Sequence, residues 1–421
     1  KVARAIIHAH NIYSHDACDG KPWVDPTNEN NPCEAWYADP KCIPNEQCVQ
    51  DMRTGICKDA IDAYFSSDHR GTLSHQDDFD KLYIQRTGDT WITEGGRHTG
   101  SLISCENGNK AVVMVGSENS FMPLGFVAHP PVPAGERNDF YGRTDNEAMD
   151  IFNGELEGIA AQMHSEGETV EHLRDSHLKA MEIYNFHVSI LSSIDKILEF
   201  ATNPDKMPPT DMAFLAFYGP LMGQLTKWYS TVYFRDITAF MGTDIHRNTV
   251  PQVMPDGERF DGYRRFMRWF SNYLLVTDFT PAGFKDAVRN GRVYVVAEGL
   301  GSPAGFDFYA ETTGGVANVG STVEKARLTK FVAKKPTVLG YNEDPKNIRL
   351  VLKKIGDGSA EVVKESAEGF TMTDIPAGVY YLEAHITPEY MRPFIGSKYK
   401  KYADKWIHDF TWIYSNAIRV K

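Results

Sequence analysis

Histidine and acidic residues recur directly after short apolar runs along this sequence. The residues concerned are His8, His10, Asp16, Asp68, His69, Glu118, His129, His164, Asp244 and His246. Imidazole nitrogens and carboxylate oxygens together suit Zn, Mn or Fe, and a shared carboxylate can bridge two ions. Burying so many titratable groups without a metal would cost a large amount of free energy. The set therefore predicts a multinuclear metal site.

The apolar runs before these residues indicate the elements that position them. They cover residues 2–7, 58–65, 110–115, 125–128, 159–163, 179–183 and 236–241. Helical patterns lie between several of the runs, at 173–181 and more clearly at 188–200. Repeated βα units with polar residues at the carboxyl ends of the strands are typical of a parallel barrel with its active site on that face. We therefore predict an α/β barrel over residues 1–279.

The sequence pattern changes near residue 280. Before it, an apolar stripe over 260–274 predicts an amphipathic helix that packs against the barrel. After it, Gly, Asn and Asp turns separate short alternating runs at 293–296, 306–309, 327–332, 348–353, 379–384 and 412–420. Such runs favour an antiparallel all-β module, most simply a small sandwich, over residues 280–421. Its role stays open between bracing the barrel, binding carbohydrate and packing against a partner.

Composition excludes several classes of protein. The chain has 421 residues and 42% of them are hydrophobic, so it can bury a large core. Its 44 basic and 56 acidic residues give a formal charge of −12, which argues against nucleic acid and anionic membranes as general partners. No apolar run reaches the ~18 residues that a membrane-spanning helix needs.

Six cysteines lie in the first quarter of the chain, at positions 18, 33, 42, 48, 57 and 105. They mark a cysteine-rich insert at about 18–57. Within it, the segment from Gly20 to Gln50 is rich in Pro, Asn, Asp and Glu, so it cannot build a core of its own and cross-links are expected to hold it. We predict up to three disulfides, with the pairing open; the alternative is free thiols in a cytosolic enzyme. Disulfides imply export, so we expect a secreted or periplasmic protein whose signal peptide was removed before Lys1.

The motifs together resemble the polymerase and histidinol phosphatase (PHP) superfamily. The stretches that carry the resemblance are IHAHNIYSHD at 7–16, FSSDH at 65–69, VGSE at 115–118, AQMH at 161–164, MEIYN at 181–185 and MGTDIH at 241–246. The part after residue 280 is similar to one branch, the carbaryl-hydrolase-like (CehA/McbA) metallohydrolases. The segments similar to that branch are AVRNGRVY at 287–294 and WIYSNAI at 412–418.

The resemblance implies a distorted (β/α)7 barrel that holds up to three metals. The implied assignment is His8, His10, Glu118 and Asp244 for the first metal; Glu118, His129 and His164 for the second; and Asp16, His69 and His246 for the third. Asp68 would orient a ligand imidazole. The sequence departs from the family at His164-Ser165, where the family has His-Pro, and a His-Pro occurs earlier at His129-Pro130. This departure concerns the second metal.

These observations predict an exported metal-dependent hydrolase, first of all a phosphoesterase in which a hydroxide bridging two metals is the nucleophile. Its substrate would be a small, anionic ester. Arg247, His98 and Arg143, with Arg97 beside His98, are candidates for protonating the leaving group or stabilising an oxyanion. Two alternatives stay open: a hydrolase of carboxyl or carbamate esters, and a metal-containing binding protein without catalysis. The cysteine-rich insert forms a wall of the pocket or is a decoration, and the oligomeric state is open.

Overall fold

The computed structural model describes residues 1–33, 36–37, 39–341 and 347–421. The fold is mixed α/β, as the sequence predicts. Its α-helices include Glu46–Lys58, Arg70–Leu73, Arg137–Tyr141, Asn146–Asn153, Val170–Asp175, Phe186–Leu191, Ile194–Thr202, Phe214–Phe217, Met222–Val232, Tyr263–Trp269, Pro281–Arg289 and Ala403–Trp406. Ala17–Gly20 is a turn in which Cys18 and Asp19 have left-handed φ angles. None of the helices in the described part of the chain is long and apolar enough to cross a membrane.

Parallel strands form the buried centre of the first 250 residues. Val2–Ile6 pairs in parallel with Ala63–Phe65, which pairs in parallel with Lys110–Met114. A second sheet has the order Met122–Leu124, Ile159–Gln162, Ala180–Asn185, Thr238–Gly242; its first pair is antiparallel and the other pairs are parallel. Nearly all of their residues are buried, as expected for parallel strands that are covered on both faces.

The two sets of strands meet at both of their edges through single bridges. Gly116 bridges Leu124 in antiparallel sense, and Ala9 bridges Ile245 in parallel sense. Two further short strands, Asp68–His69 and Ser117–Glu118, pair in parallel beyond the first set. These contacts bring the carboxyl ends of strands from both sets to one face.

Four segments differ from the sequence prediction. Residues 125–128 are not a strand; the strand is the preceding Met122–Leu124. The helix predicted at 188–200 is two helices, and the helix predicted at 173–181 is Val170–Asp175 followed by the strand Ala180–Asn185. The stripe at 260–274 is the short helix Tyr263–Trp269 and then the strand Ser271–Leu275.

The strand Ser271–Leu275 connects the two halves of the chain. It pairs antiparallel with Val2–Ile6 on one side and with Val293–Val296 on the other. The sheet continues through Phe410–Ser415, Gly378–Ile386, Ile348–Gly356 and Ser359–Ser366, with Ile418–Val420 and Thr322–Val323 beside them. At the other edge it is extended by Arg97–Ser104 and Thr90–Glu94. The domain boundary at 279/280 stays a prediction, and backbone hydrogen bonds cross it.

A second antiparallel sheet packs beside the first after residue 300. Its strands are Gly315–Asn318, Asp307–Thr312, Leu328–Lys334 and Phe370–Met372, and Pro303–Ala304 pairs with Thr337–Val338 nearby. The ring of Phe331 in this sheet lies 5.4 Å from the ring of Tyr380 in the large sheet. Apolar side chains therefore fill the space between the two sheets.

All six cysteines form disulfides, which confirms the predicted number of three; two disulfides lie within the cysteine-rich insert and the third joins its last residue to Cys105. The pairs are Cys18–Cys48, Cys33–Cys42 and Cys57–Cys105. The insert folds into a three-stranded sheet of Trp23–Asp25, Asn28–Pro32 and Ile43–Pro44, followed by the helix Glu46–Lys58. Gly55 in this helix lies against the backbone of Arg264, where a Cβ atom would come within 2.9 Å of the Arg264 nitrogen.

Candidate metal centre

Three histidine and acidic side chains are carried by tight turns at strand ends. His8, His164 and Asp244 follow Val2–Ile6, Ile159–Gln162 and Thr238–Gly242, with φ angles of 62°, 45° and 50°. This left-handed conformation costs a non-glycine residue about 1–2 kcal/mol. The surrounding structure must therefore enforce it, and such enforced strain clusters at functional sites.

One group of four side chains converges on a common point. It consists of His8, Glu118, His164 and Asp244, whose ligand atoms all lie within 4.8 Å of one another. Glu118 Oε1 lies 2.9 Å from His164 Nε2 and 3.5 Å from His8 Nε2. Asp244 completes the group, with Oδ1 3.3 Å from His8 Nε2 and Oδ2 3.5 Å from His164 Nε2.

A second group adjoins the first and shares Glu118 with it. It consists of His10, His69, Glu118 and His246. The other carboxylate oxygen of Glu118, Oε2, lies 3.2 Å from His10 Nε2 and 3.3 Å from His69 Nδ1. Asp16 Oδ2 lies 3.4 Å from His69 Nε2 and 3.3 Å from His246 Nε2. Glu118 therefore has the position of a bridging carboxylate.

Hydrogen bonds behind the imidazoles decide which ring nitrogen faces the cluster. The Nδ1 atom of His8 contacts the carboxylate of Glu182 at 2.8 Å, and that of His10 contacts Ser14 Oγ at 2.7 Å. The Nδ1 atom of His246 contacts the Asp244 carbonyl at 2.9 Å. Because Nδ1 donates its proton in each case, the neutral ring presents the lone pair of Nε2 to the cluster. This arrangement is typical of histidines that bind metal.

The buried carboxylates of the cluster favour positive charge on the groups beside them. Burial lowers the pKa of His10, but the nearby carboxylates of Asp244 and Glu118 outweigh it and raise the pKa to about 9. Burial also lowers the pKa of His164, but hydrogen bonds to Glu118 and Glu166 outweigh burial and raise the pKa to about 10. Burial would raise the pKa of Glu118, yet the neighbouring imidazoles hold it well below its usual range. The carboxylates thus stay ionised only with cations beside them.

The residues present fit a divalent metal. Buried atoms with no hydrogen-bond partner in the described part of the chain include His8 Nε2, His10 Nε2, Asp16 Oδ1, Glu118 Oε2 and Asp244 Oδ1. Such atoms are costly in a protein interior unless something coordinates them. These five are the cluster's share of seventeen such atoms among the described residues, and they face one another within a few ångström. Nitrogen and oxygen donors in this mixture suit Zn, Mn or Fe.

Asp68 contacts His10 through Ser14 and makes no direct hydrogen bond to an imidazole among the described residues. Its Oδ1 accepts hydrogen bonds from the Asn11 backbone N at 2.7 Å and from Ser14 Oγ at 3.1 Å. Ser14 Oγ in turn accepts the Nδ1 proton of His10 and the backbone N–H of His69. Burial raises the pKa of Asp68 to about 6 although His10 and Asn11 oppose the rise. Asp68 is therefore placed to orient His10 through Ser14.

The structure does not bring His129 to the cluster. Because 125–128 is not a strand, His129 lies in a loop, where Nε2 donates to the Gln76 carbonyl at 2.6 Å and Nδ1 accepts from the Tyr141 hydroxyl at 3.0 Å. Burial lowers its pKa to about 4. Both ring nitrogens are occupied, so we leave His129 out of the ligand set proposed below.

The predicted leaving-group residues lie in other surroundings. Arg247 follows His246, but its guanidinium contacts Asp51 at 2.8 Å and Asp19 at 3.6 Å in the insert. His98 contacts Asp80 at 2.8 Å and stacks on Trp91. Arg143 pairs with two acidic side chains on a surface helix, and Arg97 is exposed. The structure therefore does not bring His98 or Arg143 to the cluster, and it turns Arg247 toward the insert.

Three residues beside the cluster carry no role in the sequence prediction. Glu182 is fully buried and accepts from His8 Nδ1 and, at 2.9 Å, from the His164 backbone N. Asn185 caps the helix Phe186–Leu191 and also donates to Asp244 Oδ2 at 3.1 Å. His187 Nδ1 donates to the Asp244 carbonyl at 3.1 Å. An acidic residue inside an apolar strand, as at 182, is the signal that could have revealed the first of them.

Comparison with known proteins adds little. No protein-family profile and no curated protein matches the chain. PsfC from Pseudomonas syringae PB-5123 is 11% identical over 66% of this chain and 84% of its own, with a TM-score of 0.35. A two-domain protein containing a predicted PHP-like metal-dependent phosphoesterase, from Bacteroides vulgatus ATCC 8482, is 12% identical over 92% of this chain and 91% of its own, with a TM-score of 0.34. At these TM-scores neither similarity supports an argument about activity.

Proposed function

We propose that this protein is a metal-dependent hydrolase of phosphate esters that holds two or three divalent ions at the cluster. The observation that carries the proposal is the set of unpartnered, buried imidazole and carboxylate atoms that face one another across Glu118. The nitrogen and oxygen atoms lie 3.2–3.5 Å apart, so either a proton on the imidazole or a metal ion must separate their lone pairs. We also propose that the ring of strands is the barrel of the PHP superfamily, carbaryl-hydrolase-like branch, on the motifs given above.

In this proposal some residues of the cluster bind the metal ions and others orient the ligand imidazoles. The Nε2 atoms of His8, His10 and His246 and the carboxylates of Glu118 and Asp244 would bind the ions, with His69, His164 and Asp16 completing the sets. Bound divalent metals would supply an activated water as nucleophile and neutralise charge on the phosphoryl oxygens. Glu182 and Ser14 would keep the imidazoles in the binding tautomer.

Three side chains at the rim of the cluster are the least enclosed. Side-chain exposure is 35% for Asp16, 34% for His164 and 25% for His69, against 8% for Glu118, 6% for His246 and 4% for Asp244. We therefore place the substrate beside Asp16, His69 and His164, where an anionic ester can reach the metals. The localisation proposed is secreted or periplasmic, because three disulfides persist in oxidising compartments.

The test combines metal analysis with a panel of chromogenic esters. The purified protein would be assayed on aryl phosphate mono-, di- and triesters beside aryl acetate and aryl carbamate, each with and without chelator. Two to three metal equivalents with chelator-sensitive release from a phosphate ester support the proposal. Turnover of carboxyl or carbamate esters alone favours that alternative. Less than one equivalent and no turnover would favour a binding protein and refute the hydrolase.

A matched pair of variants ties any activity to the cluster. Glu118→Gln removes the shared carboxylate, and we expect loss of bound metal and of turnover together. Glu383→Gln is the control, because Glu383 is as deeply buried, 2% exposed, and accepts from Tyr381 at 2.6 Å and His385 at 2.7 Å in the other half of the chain. Equal metal content in both variants would exclude Glu118 as a ligand.

A further inference from the structure

A second concave site lies between the cysteine-rich insert and residues 75–91. The cleft has a volume of about 650 Å³ and is lined by aromatic rings interleaved with polar side chains. Clefts of several hundred Å³ with this mixed lining are the usual form of small-molecule sites. None of its lining residues belongs to the metal-ligand groups described above.

Stacked planar groups form the walls of the cleft. Trp23 and Trp36 lie nearly parallel, with ring centroids 4.3 Å apart, and Tyr37 stacks on His75 at 3.9 Å. Trp91 also lines the cleft and stacks on His98 at 4.2 Å. Stacking fixes these rings before a ligand arrives, so binding a flat or ring-shaped ligand would cost little side-chain entropy.

The insert is built to hold these rings. The Cys33–Cys42 disulfide closes the loop that carries Trp36 and Tyr37. The indole N–H of Trp23 donates to the Ile12 carbonyl at 2.8 Å. This insert cannot bury a core of its own, so its disulfides must hold it in shape. They thereby keep the aromatic rings in fixed positions at the cleft.

The charged groups of the cleft leave at most one uncompensated negative charge. Asp77 is paired with Arg137 at 2.8 Å, and Arg86 forms two hydrogen bonds with Glu46, at 2.9 and 3.0 Å. Asp80 contacts His98 at 2.8 Å, a pair that is neutral overall only when the imidazole is protonated. Asp78 and Lys81, which lack an ion-pair partner among the described residues, carry opposite charges. An anion would therefore meet excess negative charge, and a cation would meet Lys81 beside Asp78.

Donors and acceptors remain available side by side. The Trp36 indole N–H is buried and has no hydrogen-bond partner in the described part of the chain. Lys81 offers further donors and Asp78 offers acceptor oxygens in the same cleft. A hydroxyl group both donates and accepts, so a ring that carries several hydroxyls and apolar C–H faces matches this lining. We propose that the cleft binds a neutral sugar ring, independently of the metal centre.

The test measures binding to the full-length, disulfide-bonded protein. Tryptophan fluorescence and calorimetry would be recorded against glucose, galactose, mannose, N-acetylglucosamine and their short oligomers. Tetramethylammonium, inorganic phosphate and 4-nitrophenol would represent cationic, anionic and flat aromatic ligands. We expect at least one neutral saccharide to bind and the other three probes to bind at least tenfold more weakly.

Variants locate the binding in the cleft. Trp36→Ala should weaken saccharide binding at least tenfold, and Trp36→Phe, which keeps a ring but removes the N–H, should weaken it less. Phe394→Ala changes an aromatic ring that is 74% exposed elsewhere and should leave binding unchanged. Metal content, measured on the same samples, should stay constant. Binding of a non-saccharide probe that Trp36→Ala does not weaken is assigned to the metal centre and is not counted. Absence of saccharide binding, tighter binding of another probe that Trp36→Ala weakens, or equal saccharide affinity in Trp36→Ala would overturn the proposal.

Discussion

Glu182→Gln tests whether the carboxylate behind the cluster sets its metal affinity. The wild-type side chain accepts two close hydrogen bonds, from His8 Nδ1 at 2.8 Å and from the His164 backbone N at 2.9 Å, and a longer one from Asn185 Nδ2 at 3.3 Å. Glutamine is nearly the same size but has one acceptor oxygen and one donor group. One of the two partners must therefore face a donor, which either turns the His8 ring or displaces His164.

The magnitude follows from this geometry. Loss of an outer hydrogen bond to a ligand imidazole lowers metal affinity about 10–100-fold, or roughly 1.4–2.8 kcal/mol. We expect the larger value, because Glu182 is fully buried and contacts two members of one group. The second group, of His10, His69 and His246, should lose less than threefold, because Ser14 and a backbone carbonyl orient its rings.

The assay is competition with a chelator of known affinity, followed by metal analysis of wild type and variant. Glu383→Gln again serves as the control for a buried glutamate, since its contacts are to Tyr381, His385 and Lys353. Glu182→Gln should retain one tightly bound ion and should bind the other ion more weakly or not at all. Equal affinities for all ions in Glu182→Gln and wild type would refute the assignment of Glu182 as a positioning residue.

Two further perturbations give defined results. His129 has a pKa of about 4 in the folded protein, below the ordinary 6.5, so its contribution to stability is full above pH 6.5 and is lost as pH falls toward 4. The loss is at most about 3 kcal/mol, and urea unfolding of His129→Gln should show a correspondingly flatter acid limb. Replacing Cys18 and Cys48 together by alanine should release the loop that carries Asp16 and lower the metal content by one equivalent, measured after dialysis against a weak chelator.

Each of these perturbations has a matched control. His177→Gln changes an exposed histidine and should leave the acid limb as in wild type. The double alanine variant of Cys33 and Cys42 removes the disulfide that is remote from the cluster and should keep the full metal content. An unchanged acid limb in His129→Gln, or full metal content without the Cys18–Cys48 bridge, would contradict the corresponding argument.

Sequence reasoning located much of the cluster because parallel strands place their carboxyl ends together. His8, Glu118, His164 and Asp244 each follow a short apolar run, and the structure gathers them within 4.8 Å. The same rule assigned His129, since 125–128 is also apolar. It failed there because Gly125, at φ 64°, turns the chain out of the sheet one residue after Leu124. Apolar composition alone does not distinguish a strand from the buried loop that follows it.

The stripe at 260–274 shows a second limit of periodicity. Its first part is helical, with Tyr263, Phe266 and Met267 buried, as predicted. Its second part, Ser271–Leu275, is a strand because Val2–Ile6 and Val293–Val296 offer it a partner on each side. Long-range pairing of this kind overrides local helical preference and cannot be read from a window of the sequence.

Backbone hydrogen bonds connect the cysteine-rich insert directly to the segment that carries His246. The backbone N–H of Cys18 donates to the carbonyl of His246 at 2.9 Å, and that of Asp19 donates to Arg247 at 3.0 Å. Cys18 and Asp19 both have left-handed φ angles, 58° and 61°, which two consecutive non-glycine residues adopt only when held. The disulfide to Cys48 provides that hold two residues after Asp16. Because Asp16 contacts His69 and His246 through this loop, the insert and the third metal position should be gained or lost together.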